Sequence, residues 1–511
     1  MTYYPSLLSI RQSVSLSLIS GGLLAFYSLG LSVFLPEQAT PLEAQTVQFE
    51  QIREPVPLSL EIADVVQLVV ENNTEVKNAY LDRIAQRQDL AVAEDKFKPN
   101  LTPRILLNAR RGSTGPIITQ SEGLDIGASL NTQFPIGTEI TLDWRTVRRL
   151  ERQLGSTTPL DQRALNHQVE LQLRQPLLRR SGVEVNQASV EQARLTNRVQ
   201  ILQVKSTLID RVTDSILRYR TLFQRQKQLE IAQLTLANSR RRLEVTEALI
   251  EAGKLPPVER IQGAADVANQ ELSVLNAKNA LDEARLDLLN LLELDQDLAI
   301  AAQAPTLQDQ PILEAEQLVS IAIENNPTYL QAKLTQKIAN YTLIEAADDR
   351  RWDLDLEADY NFQPSNLVET RSDLTLGLTL SKTWGDLQPE QRFQQSQVNV
   401  TKAENTLSQI YSSLNIDLNN LIREIQLTWK EVQQSRSRTQ LVAEQLAAEE
   451  EKLSLGLDNT SLTDIINFQN QLAQAQQNEL GVLIEYLNAL TQLDRSLGIT
   501  LEQWNLNLEI E

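Results

Sequence analysis

The chain contains no cysteine, one histidine (His167) and one methionine in 511 residues. Without cysteine there are no disulfides, thiolate zinc sites, iron–sulfur clusters or thiol nucleophiles. A single histidine cannot build a histidine-rich metal site or a His–Cys couple. Glycine (17) and proline (18) are scarce, well below the roughly 12% of average usage. Few turns are therefore available, and the elements between them must be long. Basic footprint is lacking too: Lys+Arg 47 against Asp+Glu 67 leaves a net charge of −20, which disfavours a nucleic-acid partner. Aromatics are 5%, too few for a base-stacking platform.

The N-terminus is built differently. Gln12–Pro36 is uncharged, Arg11 precedes it, and Val14–Leu35 is apolar with small residues. This is the layout of an export signal, residues 1–44, with cleavage expected after Ala44 and an N-terminal extension over 45–59. An uncleaved membrane anchor is the alternative, since 22 apolar residues can span a bilayer. No later uncharged run reaches about 18 residues, so any second entry into a membrane has to use strands.

Internal repetition organises the rest. Leu60-Glu61 … Glu71-Asn72-Asn73 … Ala93 … Asp95 returns 253 residues later as Leu313-Glu314 … Glu324-Asn325-Asn326 … Ala346 … Asp348. The chain reads as a tandem duplication, 60–302 and 313–498, joined by a linker over 303–312 and followed by a tail, 499–511. Each copy predicts a first helix (Leu60–Lys98; Glu314–Arg350) and then alternating segments. These are Leu101–Arg111, Leu124–Phe134, Thr138–Val147 and Val169–Gln175 in copy one, and Asp353–Phe362 and Asp373–Thr383 in copy two. A very long helix follows (Val183–Ile250; Pro389–Leu455), then a return helix (Val258–Leu294; Leu462–Leu497). The segment 112–167 reads as an insert, either longer hairpins or extra strands.

Aliphatic residues recur seven or fourteen residues apart along the long helices: Leu208, Leu222, Leu229, Leu236, Leu243 and Ile250 with Ser215 in the gap, then Leu418, Ile425, Val432, Leu446 and Leu453 with Thr439 in the gap. Sustained heptads specify left-handed coiled-coil packing, and a helix of this length spans about 100 Å. Two to four strands in copy one and two in copy two are too few for a closed membrane barrel, which needs at least eight. About four strands from each of three chains would give twelve. Trp144, Trp352, Trp384, Phe134 and Tyr360 lie where an interfacial girdle would use them, although strands favour aromatics for packing alone.

These features resemble the TolC family of outer-membrane channel proteins. The resemblance rests on the duplicated Leu-Glu … Glu-Asn-Asn openings, the helix–strands–long helix–turn–helix order, and Gln175-Pro176-Leu177-Leu178-Arg179, read as the start of the first long helix. It implies a mainly α fold with a small membrane β-barrel portion: long coiled-coil hairpins completed into a trimeric α/β-barrel tunnel. It further implies an outer-membrane location extending into the periplasm, and partners in a periplasmic adaptor and an inner-membrane pump of the ABC or RND type. No cofactor and no catalysis are implied. By the same resemblance, the helix-to-helix turns are adaptor-docking tips at Gly253, Leu255, Gly456 and Leu457. Glu259, Asp464 and Asn467 follow the tips, where family members line a periplasmic entrance. Asn467 stands where the family pattern has a second acid, which weakens that inference. Ordinary turn chemistry and a helix N-terminal acid account for the same residues. The function expected is a passive exit duct for efflux or type I secretion. The competing expectation is a periplasmic coiled-coil rod or adhesin held by the N-terminal anchor.

Overall fold

The computed structural model describes residues 58–154, 161–307, 309–364, 370–454 and 462–506. The signal segment and most of the 45–59 extension lie outside the described residues, as do Gly456 and Leu457. Leu58–Leu60 (β1) opens the fold, followed by Ile62–Asn72 (α1) and Thr74–Glu94 (α2). Four strands come next, Asn100–Thr114 (β2), Ile117–Gln133 (β3), Glu139–Leu154 (β4) and Asp161–Pro176 (β5). Val183–Glu251 (α3) runs for 69 residues and Val258–Leu292 (α4) returns. A short strand, Ile300–Ala302 (β6), leads to copy two: Ala315–Asn325 (α5), Pro327–Asp348 (α6), Asp353–Gln363 (β7) and Arg371–Ser381 (β8). Gln388–Ser454 (α7, 67 residues), Leu462–Leu497 (α8) and Thr500–Gln503 (α9) complete the chain.

Three expectations are corrected. The first helix of each copy is two helices. Asn73 and Asn326 leave helical geometry (φ −60°, ψ 125°; φ −66°, ψ 117°) and cap the helix that follows. The Asn73 carboxamide oxygen accepts from the amides of Glu75 and Val76, and its NH2 donates to the buried carbonyl of Leu291 (3.0 Å). Asn326 does likewise, accepting from the Tyr329 amide and donating to the Ser496 carbonyl (2.9 Å each). Asn followed by Thr74 or Pro327 is a helix-start signal that the continuous helical periodicity around it masks.

The second correction concerns the boundaries at 59, 303 and 499. β1 pairs in parallel with β6, Leu58 to Ile300 through Leu60 to Ala302. This small sheet sits on α3, where the Tyr219 hydroxyl donates to the Leu60 carbonyl and accepts from the Gln303 amide, 2.8 Å each. The end of the 45–59 segment is therefore joined to copy one by backbone pairing, beside the buried Leu60. From the tail, Leu501 is buried in the same cluster as Leu208, Ile216 and Leu288.

Third, the described residues hold six core strands rather than about four. The segment 112–167 is strand wherever it is described, apart from the tight turns: it holds the end of β2, all of β3 and β4, and the first part of β5. Gln175 and Pro176 end β5 instead of starting a helix. The six strands form one sheet in the order β2-β3-β4-β5-β7-β8, every neighbour antiparallel.

Each copy has its own apolar core around its long helix. Val204, Leu208, Val212, Ile216, Tyr219 and Leu222 of α3 pack with α1 and α4. Leu414, Leu418, Ile425 and Val432 of α7 pack with Tyr486, Leu487, Leu490 and Leu497 of α8. The α3 heptads are buried there and less so toward the turn, where Leu229, Leu236 and Leu243 lie. Two helices alone cannot enclose a side chain that several can.

Candidate functional site

Side chains alternate across a strand, so antiparallel register decides which of them share a face. One row runs Leu101, Leu130, Leu142, Leu171, Tyr360 and Leu374, crossing all six strands. The next row, on the opposite face, is Thr102, Ser129, Asp143, Glu170, Asn361 and Asp373. The division persists in both directions. The apolar face takes Ile105 and Leu107 of β2, Leu124 and Ile126 of β3, Leu356 of β7, and Leu376, Leu378 and Leu380 of β8. With Leu374, these β8 leucines are 59–70% exposed. The polar face carries the Arg145–Asp125 and Arg174–Asp355 ion pairs.

The apolar residues form a slanted belt. Its middle lies near Ile105 on β2 and between Leu376 and Leu378 on β8. Across the register that is a drop of about seven residues over five strand spacings, a strand tilt of about 44° at ~3.3 Å per residue and ~4.8 Å per strand. Strands of membrane barrels tilt by about 35–45° and carry an outward apolar band about 25 Å tall. Trp352 and Trp384, in edge contact at 6.0 Å, sit at the helix-side rim of this band. Trp144 lies within it, opposite Ala128 and Val169.

Where strands meet helices, charge staples one copy to the other. Arg179 bonds Asp349 (2.7 Å) and Asp353 (3.2 Å), and the Arg180 amide donates to Asp348 (2.6 Å). Gly137, in the β3–β4 turn, holds φ +98°, and a Cβ there would meet the Arg180 carbonyl at 2.4 Å. Midway along α3, buried Arg220 donates to the Leu487 carbonyl, Asn488 and Thr491 of α8. Burial brings the Arg220 pKa down to about 10, partly offset by Asp494. Burial likewise pushes Asp494 up to about 6, against the opposing pull of Arg220. Nearer the turn, Arg242 holds Asp266 of α4 (2.9 Å) and Gln469 of α8. Sequence reasoning assigns none of these arginines a bonding role. For Arg220 and Arg242 the one signal is a cation at an inward position of α3, whereas Arg179 and Arg180 lie in the connection between β5 and α3.

The residues marked by the family resemblance occupy the far helical end. Gly253 follows α3 with φ +72°, and Leu255 is half-buried, its amide bonded to the Leu249 carbonyl (3.3 Å). Val258 and Ile261, 62% and 69% exposed, are the open apolar side chains beside them. Glu259 and Asp464 stand in the first turns of α4 and α8, and Asn467 is exposed one turn after Asp464. No group of three or more His, Cys, Asp or Glu among the described residues could hold a metal.

Open edges run along both sides of the chain. Near the turn the helices pack in the order α4-α3-α8-α7, and near the sheet in the order α2-α3-α6-α7. α4 exposes Val258, Ile261, Leu272, Leu275 and Leu286 at helical repeats, while α7 exposes Val398, Ile416, Leu427 and Leu441. α2 exposes Leu81, Ile84 and Val92. The sheet ends likewise in β2 on one side and β8 on the other.

This architecture has known counterparts. It is the fold of outer-membrane channels. The outer membrane protein VceC of Vibrio cholerae superposes with TM-score 0.63 at 12% identity, over 86% of this chain and 96% of that one. The MtrE outer membrane channel of Neisseria gonorrhoeae gives 0.63 at 13% identity, over 86% and 89%. The Campylobacter jejuni CmeC outer membrane channel gives 0.62 at 12%, over 88% and 90%. Neither a family model nor a curated relative matches the sequence. No helix among the described residues is long and apolar enough to cross a membrane, and the slanted belt lies entirely on strands.

Proposed function

We propose that the chain is an outer-membrane channel: a homotrimer whose strands close into a barrel in lipid and whose helices continue it as a tunnel into the periplasm. The observation carrying this reading is the apolar belt, continuous over six antiparallel strands, tilted like a membrane barrel and backed by a polar face. A belt of exposed leucine is unfavourable in water and favourable in hydrocarbon. A sheet in lipid must leave no edge unpaired. Because the sheet has an even number of strands, β8 of one copy meets β2 of the next antiparallel. Six strands are too few to close alone. Three copies supply eighteen, in place of the twelve expected from four strands each. The apolar stripes of α4 and α7 then meet head to tail, a contact that closes into a ring.

Such a duct is passive. It serves as the exit of a tripartite efflux pump or of a type I secretion system, and the inner-membrane pump determines the cargo. The turn carrying Gly253 and Leu255, and its counterpart at Gly456-Leu457, would dock the periplasmic adaptor. Glu259, Asp464 and Asn467 would stand at the entrance. The test is direct. Full-length protein purified in detergent should have the mass of three chains and conduct ions in planar bilayers. A water-soluble dimer, or a bilayer silent at every voltage, would sink the proposal. Crosslinks from Leu255 and Leu457 should then capture an adaptor; crosslinks confined to other surfaces would reject the tips as its dock.

A further inference from the structure

The loop-side rim of the apolar belt is basic, and it faces outward. Beyond Ala109, the last apolar residue on that face of β2, the next outward residue is Arg111. On β4 the series after Trp144 runs Thr146 and then Arg148; on β5, after Val169, it runs His167, Leu165 and Arg163. Arg111, Arg148 and Arg163 are exposed, and among the described residues none has an ion-pair partner. Glu122 of β3 is the acid with a described side chain on the same face. These arginines stand on a chain of net charge −20, so general basicity does not explain them.

The tilt sets their height. Arg148 lies about five residues beyond the belt's middle on its strand, Arg111 about six and Arg163 about eight. At ~3.3 Å per residue and a tilt of about 44°, that is roughly 12 Å, roughly 14 Å and roughly 19 Å from the mid-plane. The hydrocarbon half-thickness is about 15 Å, and the headgroup layer extends to about 20–22 Å. Trp352 lies about as far on the helix side, where its partners are Trp384 and Lys382. The two rims therefore differ in chemistry: aromatic toward the helices, guanidinium toward the loops. Arginine presents a planar fork of donors that matches phosphate oxygens.

The geometry points to Arg111, Arg148 and Arg163 as a lipid-facing shelf that binds phosphate groups on the headgroups of the leaflet nearest the loops. The inference rests on the barrel reading above and adds a ligand to it. The shelf belongs to β2, β4 and β5. Among the described residues, β7 and β8 place no arginine on the outward face, so each copy would carry one cationic sector separated from the next.

The probe is bisphosphorylated lipid A, titrated against its dephosphorylated form into full-length trimer in neutral detergent and read by native mass spectrometry. Wild-type protein should prefer the phosphorylated lipid at least tenfold. R111Q/R148Q/R163Q should lose that preference. R111K/R148K/R163K should keep most of it, and R110Q/R149Q, which alters the polar face, should keep all of it. An unchanged preference in the Gln triple variant, or an equal loss in R110Q/R149Q, overturns the proposal. Displacement of the lipid by equimolar inorganic phosphate would mark a free-anion site and overturn it too. If the triple variant does not assemble, R148Q alone carries the comparison: a loss of about threefold supports the shelf and an unchanged affinity rejects it. Trimer mass and conductance of the same samples separate failure of the shelf from failure of the barrel.

Discussion

α3 and α7 are near copies in length and heptad spacing, yet they live in different environments. α3 is enclosed: α1, α2, α4, α6 and α8 pack on it, and Leu208, Val212, Ile216, Tyr219 and Leu222 are at most 2% exposed. α7 is an edge. It packs on α5, α6 and α8 and leaves Val398, Ile416, Leu427 and Leu441 about half exposed or more. A duplicated sequence thus yields one enclosed helix and one that keeps an open apolar edge. Burial in a repeat protein depends on what stands beside each unit as well as on the unit's own pattern.

The strongest way to break this comparison is to place a charge on each of the two helices, one buried and one at the open edge. Leu222→Asp buries an unpaired carboxylate and should cost more than about 4 kcal/mol, leaving no cooperative thermal transition. Leu427→Asp should leave the chain folded but dissociate the proposed trimer, read by light scattering. Equal effects on folding would erase the distinction between core and edge.

Next in size is the link between copies. Arg220→Met removes the cation near Asp494 and its bonds to three groups of α8. A loss of about 3–5 kcal/mol is expected, as for breaking other buried pairs, and chemical denaturation would measure it. The N-caps come third. Asn73→Ala loses two cap bonds and orphans a buried carbonyl, for about 2 kcal/mol. Asn326→Ala should cost about 1 kcal/mol, because Pro327 still presets the first helical turn. If Asn326→Ala proves the costlier, the proline does not support its cap as described.

The last effect is a pH dependence. Folding raises the Asp494 pKa from its ordinary value to about 6, so the folded state binds this proton more tightly than the unfolded state. The resulting stabilisation is fully present below about pH 4 and is lost as pH rises through about 6. Asp494→Asn should flatten that part of the stability curve. A wild-type curve that instead rises between pH 4 and 6, with the Asn variant unchanged, would reverse the assigned sign.

Much of this is legible in the amino-acid sequence. Repeated Glu-Asn-Asn openings mark the copies, heptads mark α3 and α7, and the Leu374–Leu380 alternation marks β8. Other features stay hidden for physical reasons. A helix break held by one carboxamide leaves the surrounding periodicity intact, so Asn73 and Asn326 look like helix interior. Strands of about sixteen residues with arginine and glutamate beyond the belt lose their apolar alternation, so much of β4 and β5 reads as an insert. Arg179, Arg220 and Arg242 look like surface arginines until the elements facing them are known.

The sequence by itself determined the periods: seven along the helices, two along the strands, and the duplication that orders them. Those are local properties, set by side-chain direction within one element. Only the tertiary structure decided which rows join into one apolar face, how steeply that face slants, and which helix of each matched pair is enclosed. Those depend on register and on neighbours far away in the chain, and a periodic pattern is the same whichever neighbour it meets.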